Sequence, residues 1–190
     1  MKKLTILLLI ITSVSKTTIA QTPKTSVFHR LMVYNDQNEI MLVRFEGTDI
    51  WVTPGFYQDA TTLISKGLHD LADTYGMNIS NPELKGIFSL RYAMEEKKEM
   101  WLRNIYHCKY LEGEIHFPEN QSFKISEIKW LPLDDALNTL THKFVKLFIE
   151  QTHNNPNVVS GGSLVVYNSD TQERKVKIIE TFYPIFNSRK

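Results

Sequence analysis

Residues 51–77 read WVTPGFYQDATTLISKGLHDLADTYGM, and the fold turns on how this stretch is read. Trp51-Val52-Thr53 has the character of a strand end, stopped by Pro54-Gly55. A polar loop follows. Beyond it Ile64, Leu68, Leu71 and Tyr75 recur at helical spacing and form one apolar stripe. The spacing predicts a helix over 61–75, closed by Gly76. Lys66, Asp70, Asp73 and Thr74 fall opposite the stripe. Side chains three and four apart share a helix face, so Asp70, Asp73 and Thr74 can reach one point in space. A loop and a helix can therefore present several oxygen atoms to one ion. Lys66, one turn before Asp70, is the competing partner and would form a salt bridge instead. Gly67 interrupts the helix at a cost of about 1 kcal/mol relative to Ala, which is either tolerated or marks the close approach of another backbone.

Working outward, 28–34 and 40–45 are β-rich runs separated by Asn35-Asp36-Gln37-Asn38, the pattern of a hairpin. On the C-terminal side, Asn81-Pro82 breaks the chain and 85–92 reads as a strand. Glu95, Glu96 and Glu99 lie in a charged turn, and 101–110 is a further strand. His107 and Cys108 are neighbours within it and point to opposite faces. A short strand over 125–131 runs into Trp130-Leu131-Pro132-Leu133-Asp134-Asp135. Asp134 and Thr141 are candidate caps for two terminal helices, the second carrying Phe144, Leu147 and Phe148 on its apolar face. After Pro156 the composition shifts. Gly161-Gly162 reads as a plain turn before a strand over 163–167, and 174–183 pairs with that strand as a β-hairpin. Strand pair, helix, strands and terminal helices in this order describe an α+β protein, an α/β/α sandwich with a mixed sheet.

The first twenty residues stand apart. Lys2 and Lys3 precede the apolar run 4–11, and Thr18-Ile19-Ala20 is a small-residue cleavage pattern. This is the form of a secretory signal peptide, removed before Gln21. The apolar run is shorter than the roughly 20 residues a membrane span needs. Removing 1–20 takes Lys2, Lys3 and Lys16 and no acid, leaving 19 basic and 21 acidic residues and a formal charge of −2. That balance gives no footing for nucleic acid or an anionic membrane surface. Cys108 is the one cysteine, so no intrachain disulfide forms. The expected location is secreted or periplasmic, with no membrane association after cleavage. The expected organisation is a signal peptide over 1–20, one domain over 25–153 and a C-terminal β-hairpin extension over 157–190.

The stretch quoted first resembles a Nudix box, the loop-helix motif of the Nudix hydrolases. That motif reads Gly, five residues, Glu, seven residues, then Arg-Glu-apolar-any-Glu-Glu-any-Gly-apolar. Gly55 and Gly76 stand at the motif's separation, and Leu71 and Met77 fill its apolar places. Thr61 stands at the first Glu, His69 at the Arg, Asp70 and Asp73 at two Glu places and Thr74 at the third. Phe56 follows Gly55 where the family usually has a second Gly. The segment Glu127 to Asp134 resembles the family's last strand, so the resemblance spans 27–151.

The resemblance implies hydrolysis of a diphosphate linked to another moiety, such as a nucleotide derivative, assisted by Mg²⁺ or Mn²⁺. The matching metal positions are the Gly55 carbonyl, Asp70, Asp73 and Thr74; the catalytic acids are Asp70 and Asp73. In some members a general base comes from a loop beyond the helix. Glu95, Glu96 and Glu99 occupy a comparable turn, with a solvated charge run as the alternative reading. Asp59 is either a substitute ligand or a surface acid. Each Asp draws its carboxylate back by about 1.5 Å relative to Glu, and Thr74 offers no charge, so weak metal binding and weak or lost activity are expected. The other reading is a Nudix-like protein without turnover, which binds a small molecule or an unknown protein partner.

Overall fold

The computed structural model describes residues 25–93, 100–119, 124–169, 171 and 173–187. Residues 1–20, Glu95, Glu96 and Glu99 lie outside them. In chain order the elements are β1 (Thr25–Tyr34), β2 (Ile40–Phe45), β3 (Trp51–Val52), β4 (Gly55–Tyr57), α1 (Ile64–Thr74), β5 (Asn78–Ile79), β6 (Glu83–Tyr92), β7 (Met100–Glu112), β8 (Ile125–Leu131), α2 (Leu133–Thr139), α3 (Lys143–Asn154), β9 (Val158–Asn168) and β10 (Arg174–Asn187). The main sheet runs β10-β9-β6-β7-β1-β2-β3, with β4 on β1, β5 on β7 and β8 on β2. It is mixed: β1 is parallel to β7 and β6 to β9, and the other pairs are antiparallel.

Strand alternation sorts the side chains into two cores. Leu31, Val33, Met41 and Val43 face one way, with Tyr106 and Cys108, and α1 covers them with Leu68, Leu71, Ala72 and Tyr75. Met32, Ile40, Leu42 and Ile105 face the other way, under Val145, Phe148 and Ile149 of α3. The result is the α/β/α sandwich expected. His107 bonds Thr152 of α3 while Cys108 lies in the α1-side core, so the two do point to opposite faces.

The hairpin β9–β10 forms as expected, and it continues the main sheet. Seven residues of β9 register against β6, and Leu164 and Val166 complete the α3-side core. Gly161 and Gly162 do not make a turn. They lie inside β9, where the rings of Tyr183 and Phe182 from β10 sit over the positions a side chain would take.

Three local expectations are corrected. Helix α1 begins at Ile64, not Thr61, because the Asp59 carboxylate captures the amides of Thr61 and Thr62 at 2.7 Å each and holds them in a loop. Ile64 is 41% exposed and leaves the core stripe, since the first turn precedes the helix's contact with the sheet. Neither terminal helix has a side-chain cap: Pro132 and His142 are the N-cap residues. Asp134 sits in the first turn of α2, where its charge favours the helix N-terminus. Thr141 instead accepts the Trp51 amide and donates to the Asp49 carbonyl, tying β3 to the start of α3.

Candidate functional site

Helix α1 keeps the frame of the motif. Gly76 ends it at φ +71°, and its amide donates to the Asp73 carbonyl at 2.9 Å. A Cβ at Gly76 would stand 2.1 Å from the Glu114 carbonyl, so only glycine fits. Near the other end, a Cβ at Gly67 would meet the Phe56 ring at 2.6 Å and the Thr62 methyl at 2.9 Å. The helix glycine is thus explained by a packed side chain, Phe56, rather than by another backbone.

The chemistry on the opposite face of α1 is slight. Asp70, Asp73 and Thr74 are all exposed. Lys66 Nζ donates to both oxygens of Asp70, at 2.6 Å to Oδ1, so the salt bridge foreseen as the competitor has formed. Thr74 Oγ1 donates to the Leu71 carbonyl at 2.7 Å, a bond that turns the hydroxyl back onto its own helix. Among the described residues no three His, Cys, Asp or Glu side chains gather in a way that could hold a metal. A divalent ion needs a set of hard oxygen ligands. One carboxylate neutralised by lysine, a second in solvent and an engaged hydroxyl do not make that set, so the donors present do not fit a resident metal.

Asp59 is engaged within its own loop. Its two oxygens accept from the amides and hydroxyls of Thr61 and Thr62, and these bonds hold its carboxyl down at about 2. It braces the loop from within. The places where the motif carries a Glu and an Arg hold Thr61 and His69 here, and Thr61 is bound into this local turn.

A concavity lies beside the other face of α1. Strand β1 registers against β2 only at Tyr34–Ile40 and then leaves it, pairing with β4 and β7. A cleft of about 640 Å³ opens there. Leu71 and Tyr75 of α1 reach it; Asp70, Asp73 and Thr74 do not. Among the described residues that line it, the charged ones are Arg30 and Arg103, and none is a carboxylate.

Both guanidiniums are buried, Arg30 at 7% and Arg103 at 5% exposure. Arg30 Nη1 donates to the Thr53 carbonyl at 2.8 Å and to Thr53 Oγ1 at 3.0 Å. Burial, and then the charge of Arg103, push its pKa down to about 9. Arg103 lies over three rings, 4.8 Å from Trp101, 5.2 Å from Phe28 and 5.7 Å from Tyr57. Its Nε and Nη1 have no hydrogen-bond partner among the described residues. His142 at the mouth is held toward its neutral form by burial, then by Arg30 and Arg174.

The two arginines were not singled out in the sequence, although a signal for them exists. Phe28, Arg30 and Met32, and likewise Trp101, Arg103 and Ile105, alternate onto one face of apolar strands. A cation in a buried register is the mark of a site.

Nudix hydrolases are among the solved structures that share this fold. The chain superposes on a MutT mutator protein from Bacillus halodurans with a TM-score of 0.58 and 18% identity, covering 81% of this chain and 97% of that one. A Nudix hydrolase from Nitrosomonas europaea gives 0.56 and 17%, covering 69% and 90%. A UDP-X diphosphatase gives 0.50 and 20%, covering 74% and 67%. No protein-family model matches the sequence. A search of curated proteins finds no match. The chain has the Nudix fold.

Proposed function

On the premise of a Nudix fold, we propose that this is an exported small-molecule binding protein in which the metal-dependent hydrolysis of diphosphates is weak or lost. The observation that carries the reading is the state of α1: Asp70 is neutralised by Lys66, the Thr74 hydroxyl is bound to Leu71, and neither reaches the cleft. In a hydrolase the helix acids and the substrate cleft must meet around an ion. Among its described lining residues the cleft carries two arginines and no acid, an arrangement suited to holding an anion and, within those residues, without the ligands to polarise a water against it. Neighbours of this fold are named for diphosphate-linked nucleotides, the UDP-X diphosphatase among them, which supports a nucleotide-like anion as the class of ligand.

The test is hydrolysis of a panel of nucleoside diphosphate derivatives to their two phosphomonoester products, separated by ion-exchange chromatography, with Mg²⁺ or Mn²⁺, for the wild type and Asp73→Ala. Slow or undetectable turnover that Asp73→Ala leaves unchanged is expected. Brisk turnover abolished by Asp73→Ala overturns the reading. Export rests on residues 1–20 and is tested separately. Intact mass of the exported protein should begin at Gln21, and a product retaining 4–11 would make the segment an anchor.

A further inference from the structure

We infer that the cleft between Arg30 and Arg103 is a metal-independent site for an aromatic phosphomonoester. The inference goes beyond the loss of hydrolysis and does not depend on it: it concerns what the cleft holds, with or without turnover. Two buried cations share a lining that, among the described residues, contains no carboxylate. None of the salt bridges among the described residues involves either of them. A buried charge is retained at a cost unless it is paired and hydrogen-bonded. Stacking on three rings offsets part of that cost for Arg103, yet its Nε and Nη1 remain without acceptors. A guanidinium left with free N–H groups is a recognition group for the oxygens of a phosphate or carboxylate.

Charge chooses between the two anions. A phosphomonoester carries about −1.5 to −2 at neutral pH, matching two guanidiniums, where a carboxylate matches one. The walls choose the body of the ligand. Tyr57 and Trp101 stand edge-to-face at 6.1 Å, Tyr92 and Trp101 at 5.4 Å, and Phe28 and Tyr57 at 4.8 Å. These rings offer faces and edges on which a planar group stacks. The volume suits a molecule of nucleotide or drug size. Nothing in this recognition passes through the acids of α1 or a metal ion.

The experiment is titration of the purified protein in EDTA with phenyl phosphate, inorganic phosphate, benzoate and phenol, followed by tryptophan fluorescence. Saturable binding of phenyl phosphate is expected, at least about tenfold tighter than the other three, since each lacks either the dianion or the ring. Trp101→Phe should remove most of the fluorescence change and, because a smaller ring remains on the wall, weaken calorimetric binding by less than Arg103→Met does. Arg103→Met should weaken binding by about tenfold or more and raise Tm, because it replaces a buried cation that no carboxylate among the described residues pairs with by an apolar chain. Arg103→Lys should keep part of the affinity. Neutralising Glu95, Glu96 and Glu99 together controls for a carboxylate of the chain itself. That triple variant should bind as the wild type does, and a tenfold gain would mean these residues already serve the arginines, overturning the inference. So would an absence of saturable binding, binding that survives Arg103→Met, or an Arg103→Met protein that melts lower or fails to fold.

Discussion

Replacing Gly67 by Ala should destabilise the protein, and the same substitution in a Phe56→Ala background should stabilise it. A Cβ at position 67 would stand 2.6 Å from Phe56 Cζ and 3.0 Å from its Cε2. Comfortable carbon contacts begin near 3.5 Å, so the ring must retreat by about 1 Å. Overpacking of that kind costs about 1–3 kcal/mol. Against it stands the helix preference for Ala over Gly, about 1 kcal/mol. The net effect in the wild type is a loss of about 0–2 kcal/mol. With Phe56 cut back to Ala the ring clash is gone and the Thr62 methyl at 2.9 Å has only to turn aside, which leaves most of the helix term, a gain of up to about 1 kcal/mol. The coupling between the two positions is then about 1–3 kcal/mol, well above what independent sites show. Urea denaturation of the four proteins measures it, provided the m-values agree. If Gly67→Ala stabilises both backgrounds equally, Phe56 does not occupy the space that Gly67 leaves. The account of why the helix tolerates a glycine, and why Phe56 can stand where a second Gly is usual, then fails.

Two further outcomes follow from the geometry of α1 and of β7. Lys66→Ala with Thr74→Glu should raise Mg²⁺ affinity by roughly one to three powers of ten, because a charge gained at about 4 Å is worth about 1–4 kcal/mol; Lys66→Ala alone should cost under about 0.5 kcal/mol of stability, since the pair is exposed. His107 is held down to about 3, first by burial and then by the charges of Lys85 and His153. The folded state therefore takes up its proton later than the unfolded chain does, and the stability His107 contributes is present above pH 6.5 and lost as pH falls toward 3. Stability followed by urea titration at several pH values should fall across that window by up to about 1.4 kcal/mol per pH unit, and His107→Gln should flatten the slope.

Much of the fold was legible because it rests on periodicity. Leu68, Leu71 and Tyr75 bury at helical spacing, and β8 pairs with β2 through Trp130 and Met41 where the last strand was expected. The helix start was not legible, because it depends on which acceptor wins the amides of Thr61 and Thr62, and Asp59 wins them through a local turn that periodicity does not register. Thr141 has the chemistry of a cap and is used to join β3 to α3 instead, a choice set by tertiary contact. At the candidate site, the pairing of Lys66 with Asp70 was visible as one of two alternatives. The cleft was not, because its two arginines lie far apart in the chain and meet only through the parallel pairing of β1 with β7.

The most direct measurement of the central claim is a calorimetric titration of the purified wild-type protein with Mg²⁺ at neutral pH. With Asp70 held by Lys66 and no third carboxylate on α1, the helix should bind one ion weakly, with Kd above about 1 mM, at the weak end of divalent-cation sites. A micromolar, stoichiometric site that disappears in an Asp70→Asn, Asp73→Asn protein would contradict the account, because α1 would then present a working metal centre.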